Sequence, residues 1–262
     1  MSTPPVALTI AGSDPSGSSG LQADLPTFAA LGVHGTSVIT VVTAQDTTGV
    51  KAFHELEGEL VVAQLDHVIT DLPPAATKTG LLRDAEIVNG VAARASEGRL
   101  GSLVVDPVLV DSTGRPIVDD AAVAAYRVVA AHAAVLTPNR WEAELLAGAS
   151  FGDGPSDDVA AALLALGSDV VVVTGGRGSA DRVVDHVITN AGVATLESDR
   201  VGDAAIRGTG CTFSAALTAT IAGGVEPTAA PAAAHGFVQR QLRHRSALWL
   251  GSGRPGLPHL MA

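Results

Sequence analysis

Of 262 residues only one is cysteine, Cys211, so no disulfide can form within the chain and a cross-linked secreted scaffold is excluded. Aromatic residues are 3% of the total, too few rings to stack a single strand of nucleic acid. Cations are scarce as well: 16 Lys and Arg stand against 27 Asp and Glu, a net charge of −11, the opposite of a DNA- or RNA-binding surface. No apolar run approaches the ~18 residues of a membrane-spanning helix. The opening Met-Ser-Thr-Pro-Pro-Val-Ala-Leu lacks the charged start and apolar centre of a secretion signal. The eight histidines show no paired metal-ligand spacing, and one Cys cannot build a zinc site. These absences lead us to expect a cytoplasmic protein with neither nucleic acid nor membrane as partner. With so little positive charge, an anionic ligand must be held locally, by backbone N–H groups, a few Arg or a metal.

Apolar residues are abundant at 47%, against 16% charged, which supplies a sizeable core and rules out disorder. Short β-branched runs alternate with longer Ala/Leu-rich stretches. Strands are expected at Val6–Ile10, Ser37–Thr43, Ala75–Thr79, Leu103–Val105, Val135–Thr137 and Asp169–Thr174, with a hairpin over 183–189 and 193–197. Helices are expected at 21–31, 59–72, 84–97, 119–132, 140–147, 156–166 (Ser156 as N-cap), 210–222 and 228–248. Pro26 falls inside the first helix; either that helix starts near Asp24 or it is kinked. Strand–helix alternation implies βαβ crossovers and hence an α/β fold, a mainly parallel sheet covered on both faces with an antiparallel edge. No repeat and no linker interrupts 1–262, so one domain is expected.

Three Gly-rich turns follow strands, where α/β proteins place anions. In the first, Gly12 and Gly17 are spaced like the start of a P-loop, but Ser18 stands where the motif needs lysine. The second, Gly175-Gly176-Arg177-Gly178, could bring backbone and Arg177 to a phosphate, but taken alone it reads first as a tight turn before a hairpin. The third, Gly208-Thr209-Gly210-Cys211, opens a helix, so consecutive N–H groups and the positive end of the dipole face one concavity. A thiol in that first turn is expected to have a lowered pKa, unless Cys211 is simply a small buried hydrophobe.

Two acidic signals accompany the turns. Asp106 ends a strand, and Asn139-x-x-Glu142 enters a helix. Their oxygens suit Mg²⁺, although taken alone Asn139 and Glu142 read first as a helix capping box. Gly148-x-Ser150-x-Gly152 matches the nucleophile elbow of an acyl hydrolase, but a helix precedes it and Asp-Gly-Pro follows, so it reads as a loop.

Taken in order, the motifs resemble a known family. Leu8-Thr-Ile-Ala-Gly-Ser-Asp-Pro-Ser-Gly followed by Gly20-Leu-Gln-Ala-Asp24 is similar to the opening of the hydroxymethylpyrimidine/phosphomethylpyrimidine kinases of thiamine biosynthesis, ribokinase-like enzymes close to the pyridoxal kinases. Thr36-Ser-Val-Ile-Thr, Thr43-Ala-Gln45, Lys78-Thr-Gly80, Asp106-Pro-Val108, Asn139-x-x-Glu142, Gly175-Gly176, Gly208-Thr-Gly-Cys211-Thr-Phe-Ser214 and Gly251-Ser-Gly-Arg-Pro-Gly-Leu-Pro-His259 continue the likeness over nearly the whole chain.

The resemblance implies a three-layer ribokinase-like fold and ATP-dependent phosphorylation of 4-amino-5-hydroxymethyl-2-methylpyrimidine, then of its monophosphate. Pyridoxal kinase is the alternative within the same fold. Asp24 and Gln45 would hold the pyrimidine, in a pocket lined by Gly12, Leu81 and Val108. Asn139 and Glu142 would position Mg²⁺ with Asp106 nearby. Gly208, Thr209, Gly210 and Cys211 would form the anion hole, Cys211 standing where most ribokinase-like enzymes place an Asp base. Thr174, Gly175 and Gly176 would lie along the nucleotide phosphates. Thr174 and Arg207 replace a Lys and a His common in the family, with Arg177 and Arg207 offering compensating charge. A homodimer is also implied.

Overall fold

The computed structural model of the protein describes residues 3–111, 113–177, 181–201, 206–244 and 250–259, the side chains at 176 and 177 excepted. Among the described residues eight helices alternate with strands that form one nine-stranded sheet. Its centre is parallel: β1 (Val6–Ser13) lies beside β4 (Ala76–Thr79), followed by β5 (Ser102–Val105), β6 (Val135–Leu136) and β7 (Val170–Arg177). On its other side β1 pairs in parallel with β2 (His34–Asp46).

The central strands are apolar on both faces because both faces are covered. Leu8, Ile10, Leu103, Val105, Leu136, Val171 and Val173 enter one core cluster. Their alternating neighbours Ala7, Val104, Val135, Val170 and Val172 enter a second. The first is roofed by α2 (Gly58–Asp71), α3 (Ala85–Ser96), α4 (Asp120–Ala130), α5 (Arg140–Ala147) and α6 (Asp157–Leu164). The second is roofed by α1 (Leu21–Ala30), α7 (Thr209–Ala222) and α8 (Ala230–Arg243). α7 is buried almost all round. Its Ala, Ser and Thr side chains are small enough for close approach to the sheet.

The hairpin expected over 183–197 is present as β8 (Arg182–Thr189) and β9 (Gly192–Asp199), antiparallel to each other and to β7. The opposite edge departs from expectation. β3 (Gly49–Glu55) folds back antiparallel on β2, giving a second antiparallel edge. Most of its residues are exposed, so it carries no buried-face pattern for periodicity to detect.

The first helix runs over Leu21–Ala30 as expected, with Pro26 in its interior, so of the two alternatives the start near Asp24 does not hold. Gly20, at φ 57°, turns the chain into the helix, and its carbonyl accepts the amides of Ala23 and Asp24. The last helix ends at Arg243; of the remainder expected to 248, residues 245–248 lie outside the described residues. The C-terminal ends of the parallel strands and the N-terminus of α7 share one edge of the sheet, where Asp106, just beyond β5, meets Ser214 near the start of α7.

Candidate active site

Gly208 caps α7 with φ 78°, and a Cβ there would collide with the Ser18 carbonyl, so glycine alone lets the two loops touch. The first helical bond runs from the Thr212 amide to the Gly208 carbonyl at 2.8 Å. Ahead of it, the amides of Thr209, Gly210 and Cys211 lack intrahelical acceptors and converge at the helix's positive end. Gly210 is exposed, with open space where a Cβ would project.

Cys211 lies here as expected, but its thiol does not behave as expected. Burial pushes it up to about 12, opposed by Lys78, reinforced by Asp106 and Asp24, and opposed again by the Gly20 amide. Although part of the residue remains accessible, desolvation outweighs the helix N-terminus. The thiol stays protonated at neutral pH.

Beneath this turn sits an ion pair that sequence reasoning did not assign. Lys78, on β4, is fully buried, and its Nζ donates to Asp24 Oδ1 at 2.8 Å. Thr9 Oγ1 donates to Asp24 Oδ2 at 2.6 Å. Burial opposes charge on both partners and raises the Asp24 carboxyl, against the pull of Lys78 and the Thr9 hydroxyl, while Asp24 and Asp106 favour charge on Lys78. Asp24 is therefore not the ring acceptor that the resemblance implies: it has no exposed surface and both oxygens are occupied.

On the other side of α7, Ser214 Oγ donates to Asp106 Oδ2 at 2.8 Å. Asn139 and Glu142 form a complete capping box: the Glu142 amide donates to Asn139 Oδ1 at 3.1 Å and the Asn139 amide to Glu142 Oε2 at 2.8 Å. Glu142 Oε1 accepts the Leu109 amide, at 3.1 Å. Burial first, then the neighbouring Asp106, raise the Glu142 carboxyl to about 8.

Gln45 lies at the end of β2, half-buried. Thr43 Oγ1 donates to its Oε1 at a long 3.4 Å, and its Nε2 is buried without a hydrogen-bond partner among the described residues. Thr43 Oγ1 also approaches the Ser13 carbonyl at 2.9 Å, tying Gln45 to the end of β1. Gly12 and Leu81 adjoin, since a Cβ on Gly12 would lie 3.8 Å from Leu81 Cδ2. Val108 is half-buried two residues beyond Asp106. The polar donor and these three apolar positions thus sit along the same strand ends.

On the far side, Thr174 bridges to Asn139 in parallel, bringing the end of β7 against the capping box. Gly175 has φ 69°, but its amide donates to Asp185 Oδ1 at 2.9 Å and is thereby committed to the protein. The other oxygen of Asp185 meets His235 Nδ1 on α8 at 2.9 Å. His235 lines a groove of about 850 Å³ between α8 and the β8–β9 hairpin, with Arg182, Arg200, Arg240, Glu197 and Asp199. Gly176 continues the strand, while the Arg177 side chain and Gly178 lie outside the described residues. Arg207 points elsewhere than expected: its Nη1 donates to the Asp46 carbonyl at 3.2 Å, placing its charge on the Gln45 side. Ser150 sits in a loop with its hydroxyl near Glu144, so no nucleophile elbow exists there.

Comparison with known proteins supplies names for similar chains. The family model of phosphomethylpyrimidine kinase matches residues 14–255. A hydroxymethylpyrimidine/phosphomethylpyrimidine kinase of Synechococcus elongatus is 43% identical over 259 residues, 96% of this chain and 97% of its own. A thiamine biosynthesis bifunctional protein of Geobacter sulfurreducens is 38% identical over 97% of this chain and 52% of its own. Among solved structures, the ADP complex of Bacillus subtilis pyridoxal kinase superposes with a TM-score of 0.87 at 32% identity, covering 98% of each chain. The sheet order, the glycine-capped turn and the match over residues 14–255 agree: this is a ribokinase-like phosphotransferase, and the chain belongs to the phosphomethylpyrimidine kinase family.

Proposed function

We propose that the protein transfers the γ-phosphoryl group of ATP to the hydroxymethyl group of 4-amino-5-hydroxymethyl-2-methylpyrimidine, and then to its monophosphate, in thiamine biosynthesis. The observation that carries the substrate reading is Gln45, whose buried Nε2 has no partner among the described residues and whose Oε1 is only weakly engaged. A 4-aminopyrimidine presents an amino donor beside a ring-nitrogen acceptor, the complement of one carboxamide edge. With Asp24 sealed against Lys78, Gln45 supplies both halves of that recognition. Gly12, Leu81 and Val108 provide the apolar walls.

The nucleotide lies along Asn139, Thr174 and Gly175, and Gly176 and Arg177 follow on the same strand. The amides of Thr209, Gly210 and Cys211 stabilise charge on the transferred group. With its thiol held up at about 12, Cys211 orients the alcohol, whose proton leaves late in a loose transition state. The Arg207 guanidinium, anchored on Asp46, balances charge on the acceptor side.

Asp106 and Glu142 fit a divalent cation: both are buried, neither carboxylate is in an ion pair among the described residues, and Asp106 raises the cost of charge on Glu142. Because the Glu142 oxygens already accept amides, Glu142 and Asn139 would hold Mg²⁺ through water, and Asp106 more closely. When bound, Mg²⁺ neutralises phosphate charge. We include a homodimer in the proposal. The exposed Val42, Val50 and Phe53 on the β2–β3 edge offer an apolar surface for it. We also propose a cytoplasmic location; no described helix is long and apolar enough to cross a membrane.

The test is ADP release with the pyrimidine alcohol, its monophosphate and pyridoxal. Gln45→Ala is expected to raise KM for the pyrimidine about tenfold or more and leave that for ATP unchanged, because unpaired site groups discriminate strongly. Turnover of pyridoxal in preference to the pyrimidine overturns the substrate assignment.

A further inference from the structure

The segment 250–259 crosses the mouth of the site and is tied to three of its walls. The Gly253 amide donates to Thr47 Oγ1 at 3.0 Å and the Arg254 amide to the Thr47 carbonyl at 2.9 Å. The Pro255 carbonyl accepts the Arg207 amide at 2.9 Å. His259 Nε2 meets Thr212 Oγ1 at 2.8 Å, buried. Gly251 and Gly253 press against Thr47, and Gly256 against Ser18, so closely that a Cβ at any of the three would crowd its neighbour. Leu257 and His259 are buried, and His259 is the only non-glycine among the described residues with positive φ, at 49°. Such a conformation costs roughly 1 kcal/mol and persists only where surrounding contacts over-determine it.

The two ends of the segment grip different machinery. Thr47 lies two residues beyond Gln45, in the turn between β2 and β3. Thr212 supplies the amide that closes the first turn of α7 on Gly208. We infer that residues 250–259 form a strap that sets the substrate-recognising hairpin against the anion-holding turn, with His259 a positioning residue acting through Thr212. This rests on reading Gly208–Cys211 as the anion hole. The strap predicts a split: disturbing its Thr212 end alters the turn used in the transition state, and disturbing its Thr47 end alters ground-state recognition of the ring.

Steady-state kinetics on the full chain, with thermal melting, test this. His259→Ala is expected to lower kcat about tenfold with both KM values within about twofold, since small misplacement of a catalytic group is costly. His259→Gln, whose amide reaches as far as Nε2, should restore most of kcat. Thr47→Val is expected to raise the pyrimidine KM several-fold with kcat little changed. A purely structural strap would lower the melting temperature in all three variants and leave kcat per folded enzyme untouched, which overturns the inference; so does a His259→Gln as slow as His259→Ala. Gly210→Val separates the two levels: it is expected to cut kcat by about 10²–10³ with the fold intact. If it does so while His259→Ala is fully active, only the strap fails; if Gly210→Val is itself fully active, the anion hole fails.

Discussion

Two groups of buried carboxylates flank the first turn of α7, and both act on the Cys211 thiol, yet their electrostatic situations are opposed. Asp24 is sealed with Lys78 at 2.8 Å and accepts the Thr9 hydroxyl, so its charge is balanced within the protein. Asp106 and Glu142 have hydroxyl and amide donors and only the distant pull of Lys78 on Asp106; the Glu142 carboxyl consequently rises to about 8. A balanced pair has nothing left to offer a ligand, and serves as a prop. An unbalanced pair is held at a cost that an added cation would relieve. The contrast reassigns Asp24 from ligand binding to support, and directs the search for the metal to the other side of the helix.

Breaking the balanced pair should give the largest effect. Lys78→Met leaves a buried carboxylate without its cation, and the expected loss is about 3–5 kcal/mol of unfolding free energy in urea. Asp24→Asn with Lys78→Met removes both charges and should recover most of that loss, a coupling that a double-mutant cycle isolates. A single-variant loss below about 1 kcal/mol would show that the pair is not ionised, and the contrast would collapse.

The unbalanced pair should announce itself through pH. Glu142 titrates near 8 in the folded protein against about 4.3 when unfolded, so between those values the folded state holds the extra proton. Stability must then fall as pH rises through that window, the reverse of a salt-bridged carboxylate. Glu142→Gln should flatten the slope. Mg²⁺ favours the ionised carboxyls and should therefore raise the melting temperature more at pH 8 than at pH 5. Equal shifts at both pH values would remove Asp106 and Glu142 from the metal site.

These two clusters differed in how far the sequence disclosed them. Asn139 and Glu142 are three residues apart, so a local signature announced their capping box, and the same locality placed Ser156 as the N-cap of α6. Lys78 and Asp24 are separated by 54 positions, and His259 and Thr212 by 47. Only the pairing of β1 with β4 and the passage of the tail across α7 bring them together. The parallel strands were legible because burial on both faces leaves uninterrupted β-branched runs. β3 was not, because an exposed edge strand has no buried face to mark it. The Cys211 turn was found by its glycines, but the thiol's pKa depends on desolvation by distant segments, which no local pattern encodes.

The smallest effect sharpens the contrast most closely, because each cluster has one hydroxyl donating to a carboxylate. Thr9 Oγ1 serves Asp24 at 2.6 Å, and Ser214 Oγ serves Asp106 at 2.8 Å. Hydrogen bonds to a charged acceptor contribute about 1.5–3 kcal/mol, those between neutral groups about 1. Thr9→Val keeps the shape and deletes a donor to an ionised carboxylate, so it should fall in the upper range. Ser214 also lies 3.1 Å from the carbonyls of Gly210 and Cys211, and burial raises both carboxyls but only Asp24 has a cation at 2.8 Å, so Ser214→Ala removes a shared bond to the acid whose charge is less well compensated. Denaturant unfolding of both variants at pH 7 without Mg²⁺ should place Thr9→Val about 1 kcal/mol below Ser214→Ala. A reversed order would mean that Asp106 carries the fuller charge and that Asp24 is the weaker of the two acids.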